Sequence, residues 1–185
     1  MQTPISSISD IRIGYPGQPE PAGTVLFLQL RQFNEDGNFI SEAADYTKLD
    51  EKSHPHLLND GDVLFVGKGH RLFAWCFKDE GTQAIASSSF FVLRIINGKV
   101  HPDYLTAFLN APQTKAALIQ LGGGTNIFSI RKSELGAFQI PVLPMDKQKR
   151  VAALAALHQK DIQLEKEIIV QKQTLYTAII SKLIK

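Results

Sequence analysis

Residues 141–185 read PVLPMDKQKRVAALAALHQKDIQLEKEIIVQKQTLYTAIISKLIK, and beyond Pro144 the stretch contains neither proline nor glycine. Proline breaks a helix interior and glycine weakens one by about 1 kcal/mol relative to alanine, so their absence predicts one unbroken helix. At about 1.5 Å per residue it would extend roughly 60 Å. Apolar residues recur along it at Leu154, Ile162, Ile168 with Ile169, Leu175 with Tyr176, Ile179 and Leu183, with Leu164 widening the stripe. Glu165 and Lys172 interrupt a strict heptad seam. So broad a face suits a helical pair or small bundle better than an extended two-stranded coil. The plainer alternative is a helix folded back on its own head, but the chain offers no other helix long enough to cover the stripe.

Before this helix the chain is punctuated by glycine and proline. The expected fold class is α+β: a mixed-sheet head over residues 1–143, then a long C-terminal helix over 144–185 that pairs with a second copy. Up to about Gly23, Pro4, Pro16, Pro19 and Pro21 leave IRIG as the one strand-like piece, which predicts a surface wrap more than core. TVLFLQLRQF (24–33) is β-branched and aromatic and predicts a strand, followed by the turn EDGN (35–38). Residues 39–60 are polar and irregular. Two strands, Val63 to Val66 and Leu72 to Phe77, flank the loop GKGHR, and SSSFFVLRII (87–96) predicts a third. HPDYLTAFLNAP then changes period and places Tyr104, Leu105, Phe108 and Leu109 on one helical face. TKAALIQL predicts a second short helix, ended by GGGTN (122–126), and IFSIRKSELGAFQIPVLP a last turn and strand.

The 185 residues, 44% hydrophobic and 21% charged, have the composition of a globular protein. One cysteine, Cys76, excludes an intrachain disulfide, and no signal peptide or membrane-length apolar run is evident, so a cytoplasmic location without membrane contact is expected. A net charge of +2 is too mild to indicate nucleic acid by itself. Local clusters are more informative: KGHR (68–71), RK (131–132) and KQKR (147–150).

No catalytic constellation emerges. In GDVLFVGKG five residues separate Gly61 from Gly67, and Gly69 follows Lys68, so the phosphate-loop pattern fails. His54 and His56 flank a proline without a cluster of further metal ligands. Cys76 sits in the aromatic run LFAWCF as a buried filler, and Ser87, Ser88 and Ser89 lack the nucleophile turn. No metal and no cofactor is expected. The basic loops beside glycines are the better candidates. Lys68, His70 and Arg71 project from one, while Thr125, Asn126, Ser129, Arg131 and Lys132 offer hydroxyls, an amide and cations for phosphate or base-edge contacts. Arg31 and Asn34, ending the first clear strand, are secondary candidates. Solvated loops are the structural alternative for all of them.

PDYLTAFLNAP (102–112), LGGGTNIFSIRKSELGAFQIPVLP (121–144) and KQKRVAALAAL (147–157) together resemble the C-terminal part of a target recognition domain plus its helix. The family is the DNA specificity (S) subunit of type I restriction-modification systems. LNDGDVLFVGKG (58–69) is similar to an earlier strand and loop of the same domain. The likeness covers roughly residues 57–185, and its most specific element is the order of parts: helix, glycine-threonine loop, Ile130 to Leu135, IPVLP, then a helix start containing glutamine. Lys147 stands before Gln148 where the family usually has an acid, and Leu143 lies between Pro141 and Pro144 where the family usually has a second proline after the first. The resemblance implies a non-catalytic subunit that reads double-stranded DNA and docks a DNA methyltransferase (modification) subunit, with a restriction subunit as a further candidate partner. With one recognition domain where the family has two, it implies a half subunit: a homodimer through Leu154, Ile162, Ile168, Ile169, Leu175, Tyr176, Ile179 and Leu183, reading a bipartite palindromic site. The competing expectation is a helix-dimerised protein-interaction scaffold without DNA specificity.

Overall fold

The computed structural model describes residues 2–40, 44–122 and 128–184. The strands are β1 (Gln2–Pro4), β2 (Ser9–Ile13), β3 (Val25–Leu28), β4 (Tyr46–Thr47), β5 (Val63–Val66), β6 (Lys68–Gly69), β7 (Ala74–Cys76), β8 (Ala84–Ala86), β9 (Phe90–Ile95), β10 (Phe128–Ser129) and β11 (Gln139–Pro141). The helices are α1 (Pro102–Asn110), α2 (Pro112–Leu121), α3 (Lys132–Ala137) and α4 (Met145–Leu183).

The head is built on a four-stranded antiparallel sheet in the order β2-β9-β5-β7. Its central strands are apolar at consecutive positions because both faces are covered. Val63, Phe65, Phe91 and Leu93 point to one core, shared with Tyr104, Leu105 and Leu109 of α1, Leu118 of α2 and Leu135 of α3. Leu64, Val66, Phe90 and Val92 point to a second, with Leu28, Phe33, Phe73 and Phe77. A three-stranded sheet, β4-β3-β8, covers that second core, with β3 and β8 parallel. The free edge of β7 is occupied by Asn110 of α1, whose amide donates to the Ala74 carbonyl at 2.8 Å and accepts from its N–H at 3.0 Å.

The N-terminal segment is not a surface wrap. β2 pairs with β9 along its whole length, β1 pairs with β11, and Ile5, Ile8 and Ile11 are buried. Pro4 is harmless there because β1 lies in a two-stranded edge, where a missing N–H costs no central ladder bond. The strand expected over 24–33 stops at Leu28. Leu30–Gln32 forms a 3-10 turn in which Gln32, fully buried, turns its side-chain oxygen back to the Gln29 N–H at 3.0 Å. β8 follows from no pattern in the sequence. Its alanines offer little hydrophobic signal, and their burial depends on β3 alongside.

The long helix is present as α4, 39 residues and about 58 Å. It packs on α1 near its start, where Gln148 and Ala152 are buried. Among the described residues, no helix is long and apolar enough to cross a membrane.

Candidate nucleic-acid interface

The two basic segments expected to contact DNA, far apart in sequence, are brought together by strand pairing. β6 and β10 form a small antiparallel ladder with Lys68 opposite Ser129 and Gly69 opposite Phe128. The Ile130 N–H donates to the Gly67 carbonyl at 3.0 Å, and the buried Ile130 and half-buried Phe128 anchor the ladder on the helix-side core. Lys68, His70, Ser129, Arg131 and Lys132 remain exposed on it. Arg131 is 85% exposed and immediately precedes α3, where its N–H donates to Glu134 at 2.8 Å. The glycines flanking Lys68 serve close packing: a Cβ on Gly67 would lie 2.6 Å from the Phe91 ring, and one on Gly69 2.9 Å from a Leu30 methyl. Thr125 and Asn126 lie outside the described residues.

The other three candidates are engaged within the head. Arg71 donates through Nη1 to the Phe33 carbonyl at 2.8 Å and through Nη2 to the Leu30 carbonyl at 2.9 Å. Arg31 pairs with Asp45 at 2.5 Å, and Gln32 donates to the same carboxylate at 3.0 Å. Asn34 accepts the N–H groups of Asp36 and Asn38, at 3.0 and 2.9 Å, which sets the turn at 35–38. Burial and the nearby Asp103 charge push the Cys76 thiol up to about 12, so it stays protonated and is no nucleophile. Among the described residues no group of three His, Cys, Asp or Glu could hold a metal ion.

Along α4 the apolar positions divide between two sides. Ile162 is half-buried and faces the head, lining with Ala152, Ala155, Ala156 and Trp75 a cleft of about 850 Å³. Leu154, Ile168, Ile169, Leu175, Tyr176, Ile179 and Leu183 are exposed, Leu175 at 62% and Leu183 at 76%. Two residues the sequence did not single out, Asp36 and Lys166, form an ion pair at 2.5 Å across 130 positions, and the Gln159 amide donates to Asn38 beside it. No local signal in the sequence links such distant positions.

Solved structures share this arrangement of head and helix. The S subunit of a type I restriction-modification system from M. genitalium superposes with a TM-score of 0.62 at 14% identity, over 88% of this chain and 40% of that one. The HsdS subunit from Thermoanaerobacter tengcongensis gives 0.61 at 17% identity, over 91% of this chain and 39% of that one. The fold is that of type I specificity subunits. A chain from a structure describing complex assembly and conformational transition of the type I R-M system agrees, with a TM-score of 0.61, 16% identity, and 91% of this chain and 40% of that one covered. The chain thus spans about 40% of the length of the S subunits it matches. No protein-family model matches it, and neither does any curated protein.

Proposed function

We propose that this chain is the non-catalytic, sequence-specific DNA-recognition subunit of a type I restriction-modification methyltransferase complex. The observation that carries the proposal is that the likeness to S subunits runs through the head and the long helix together, over 88–91% of the chain. The head reads DNA with the β6–β10 ladder, where Lys68, His70, Arg131 and Lys132 stand exposed and Thr125 and Asn126 follow α2 in sequence. Arg71 braces the loop that follows Lys68 from within the head, and Arg31 and Asn34 are weaker candidate contacts. α4 dimerises through Leu154, Ile168, Ile169, Leu175, Tyr176, Ile179 and Leu183 and docks the modification subunit, with a restriction subunit joining the same complex. Ile162, half-buried beside the cleft, stands at the head-facing margin of the apolar stripe.

Two heads related by a two-fold axis present the same reading surface twice, so the target is bipartite and palindromic. Methyl transfer and cleavage belong to the partner subunits. The test is binding to duplex DNA as salt is raised, with and without the cognate modification subunit. Phosphate neutralisation by Lys and Arg makes affinity fall steeply with salt. Salt-insensitive behaviour without sequence preference, in both preparations, overturns the proposal.

A further inference from the structure

α4 is held to the head at its start, where Gln148 and Ala152 are buried, and again further along by the turn Glu35–Asn38. We infer that this turn is a strut that sets the angle of α4, which makes Asp36 and Lys166 positioning residues for the separation of the two DNA half-sites. The consequence for DNA rests on the dimeric recognition proposed above; the strut itself does not.

The first attachment is at Gln148. From there to Lys166 the helix advances about 27 Å. A rod held only at its start pivots there, and a tilt of about 10° carries the far end of α4 about 10 Å, equivalent to about three base-pair steps. A second contact at Lys166 removes that pivot. Beyond it, residues 167–183 extend a further 25 Å or so, carrying most of the exposed apolar stripe.

An exposed ion pair is weak by itself. Here the turn is rigid before α4 reaches it. Asn34 Oδ1 accepts from two of its N–H groups, and the Gly37 N–H donates to the Asn34 carbonyl at 3.0 Å. Gly37 has a φ of +81°, and its Cα lies so close over Phe73 that a Cβ would come within 2.8 Å of the ring. The base of the turn is a bridge between Phe33 and Phe39, and the Phe33 ring lies 5.1 Å from Phe73 and 5.5 Å from Trp75 and Phe90. Ordering Asp36 on this platform has little left to cost in entropy when Lys166 arrives. The Gln159–Asn38 hydrogen bond engages the same turn from two helical turns nearer the start of α4.

The same turn is tied to the candidate DNA loop. Arg71 closes the loop that starts at Lys68, and its guanidinium holds the carbonyls of Leu30 and Phe33, which lead into the 34–38 turn. One short hairpin therefore references the DNA-contacting loop on one side and the helix on the other. A fixed angle between these two elements is what a ruler for half-sites requires.

The test is a distance measurement by electron–electron resonance between spin labels at Glu80→Cys on the head and Gln173→Cys on α4, diluted with unlabelled protein. The labels are introduced in a Cys76→Ala background, because Cys76 lines the cleft beside α4. That background gives one narrow distance distribution. Asp36→Lys and Lys166→Asp each broaden it by several ångströms, and the two together narrow it again at the original distance. Narrow distributions in both single variants, or a swap that fails to restore, overturn the strut. In selections from a random-duplex pool, the single variants recover the wild-type half-site sequence with a spread of gap lengths in place of one. An unchanged single gap overturns the ruler. If wild-type protein enriches no motif, the DNA-recognition reading fails, while the distance measurement still decides the strut.

Discussion

Gln148, wholly buried in the first turn of α4, accepts the His101 N–H at 2.8 Å and donates to the Lys99 carbonyl at 2.8 Å and the Leu143 carbonyl at 2.7 Å. One side chain thus satisfies the backbone on both sides of the junction between helix and head. Gln148→Leu takes a partner from each of these groups at a partly buried junction, at a cost of roughly 2–4 kcal/mol. For a protein of this size that is a fall in Tm of about 5–12 °C, measured by circular dichroism. Gln148→Glu falls as far, because a carboxylate has nothing to donate to the two carbonyls. An unchanged Tm in both variants contradicts this role for Gln148.

Arg71 and Arg131 are both arginines beside the same ladder, and their surroundings predict opposite phenotypes. Arg71→Ala removes donors to two backbone carbonyls and lowers Tm. Arg131→Ala with Lys132→Ala leaves Tm within about 2 °C, because both side chains are exposed. The double variant instead reduces the slope of log affinity against log salt by about 0.9 for each phosphate that is no longer neutralised. Anisotropy titrations at several salt concentrations check this, and an unaltered slope removes these residues from the interface.

The ion pair between Lys78 and Asp103, 2.8 Å apart, ties β7 to the start of α1 and gives stability a pH dependence. Burial raises the Asp103 carboxyl pKa, but the Lys78 hydrogen bond and charge outweigh it and hold the group below its ordinary 3.8. A folded-state pKa below the unfolded one contributes stability above the unfolded value, lost as pH falls through the folded value. Thermal melts should therefore show a Tm that declines from about pH 5 toward about pH 3, and Lys78→Met should shrink that decline. Both groups are partly exposed, so the effect stays under about 1 kcal/mol. An identical decline in the variant assigns it to other carboxylates.

If α4 dimerises as proposed, its exposed stripe and its head-facing side should respond differently to substitution. Ile168→Asp with Leu175→Asp places charges on the exposed stripe and should give a monomer in light scattering, with the head still folded. Ile162→Ala, on the cleft side, should leave the dimer intact and lower Tm by about 2–4 °C, the effect of roughly 1 kcal/mol from a half-buried side chain. A dimer that survives the paired aspartates contradicts the helix-pair arrangement.

The parts of the fold visible in the sequence were those with strong periodicity: α4, α1 with its Tyr104, Leu105 and Leu109 face, and the apolar runs of β5 and β9. The N-terminal strands were obscured because their proline-rich neighbourhood suggests a surface segment, whereas the pairing of β2 with β9 joins positions about 80 apart. The candidate interface was legible as two basic segments. Their meeting was not, since a two-residue ladder such as β6–β10 has no periodicity of its own. Gln148 was visible only as part of the family resemblance, and its physical role became clear from the carbonyls around it. Asp36 and Lys166 are ordinary surface residues until the fold sets them face to face.

The proposed two-fold DNA recognition is tested most directly by selection of a random-duplex pool on the purified wild-type protein, followed by sequencing of the bound fraction. Paired heads at a set separation should yield one enriched motif made of two inverted half-sites with a fixed gap. Enrichment of a single asymmetric half-site, or of no motif under conditions where the protein is folded and dimeric, would contradict it.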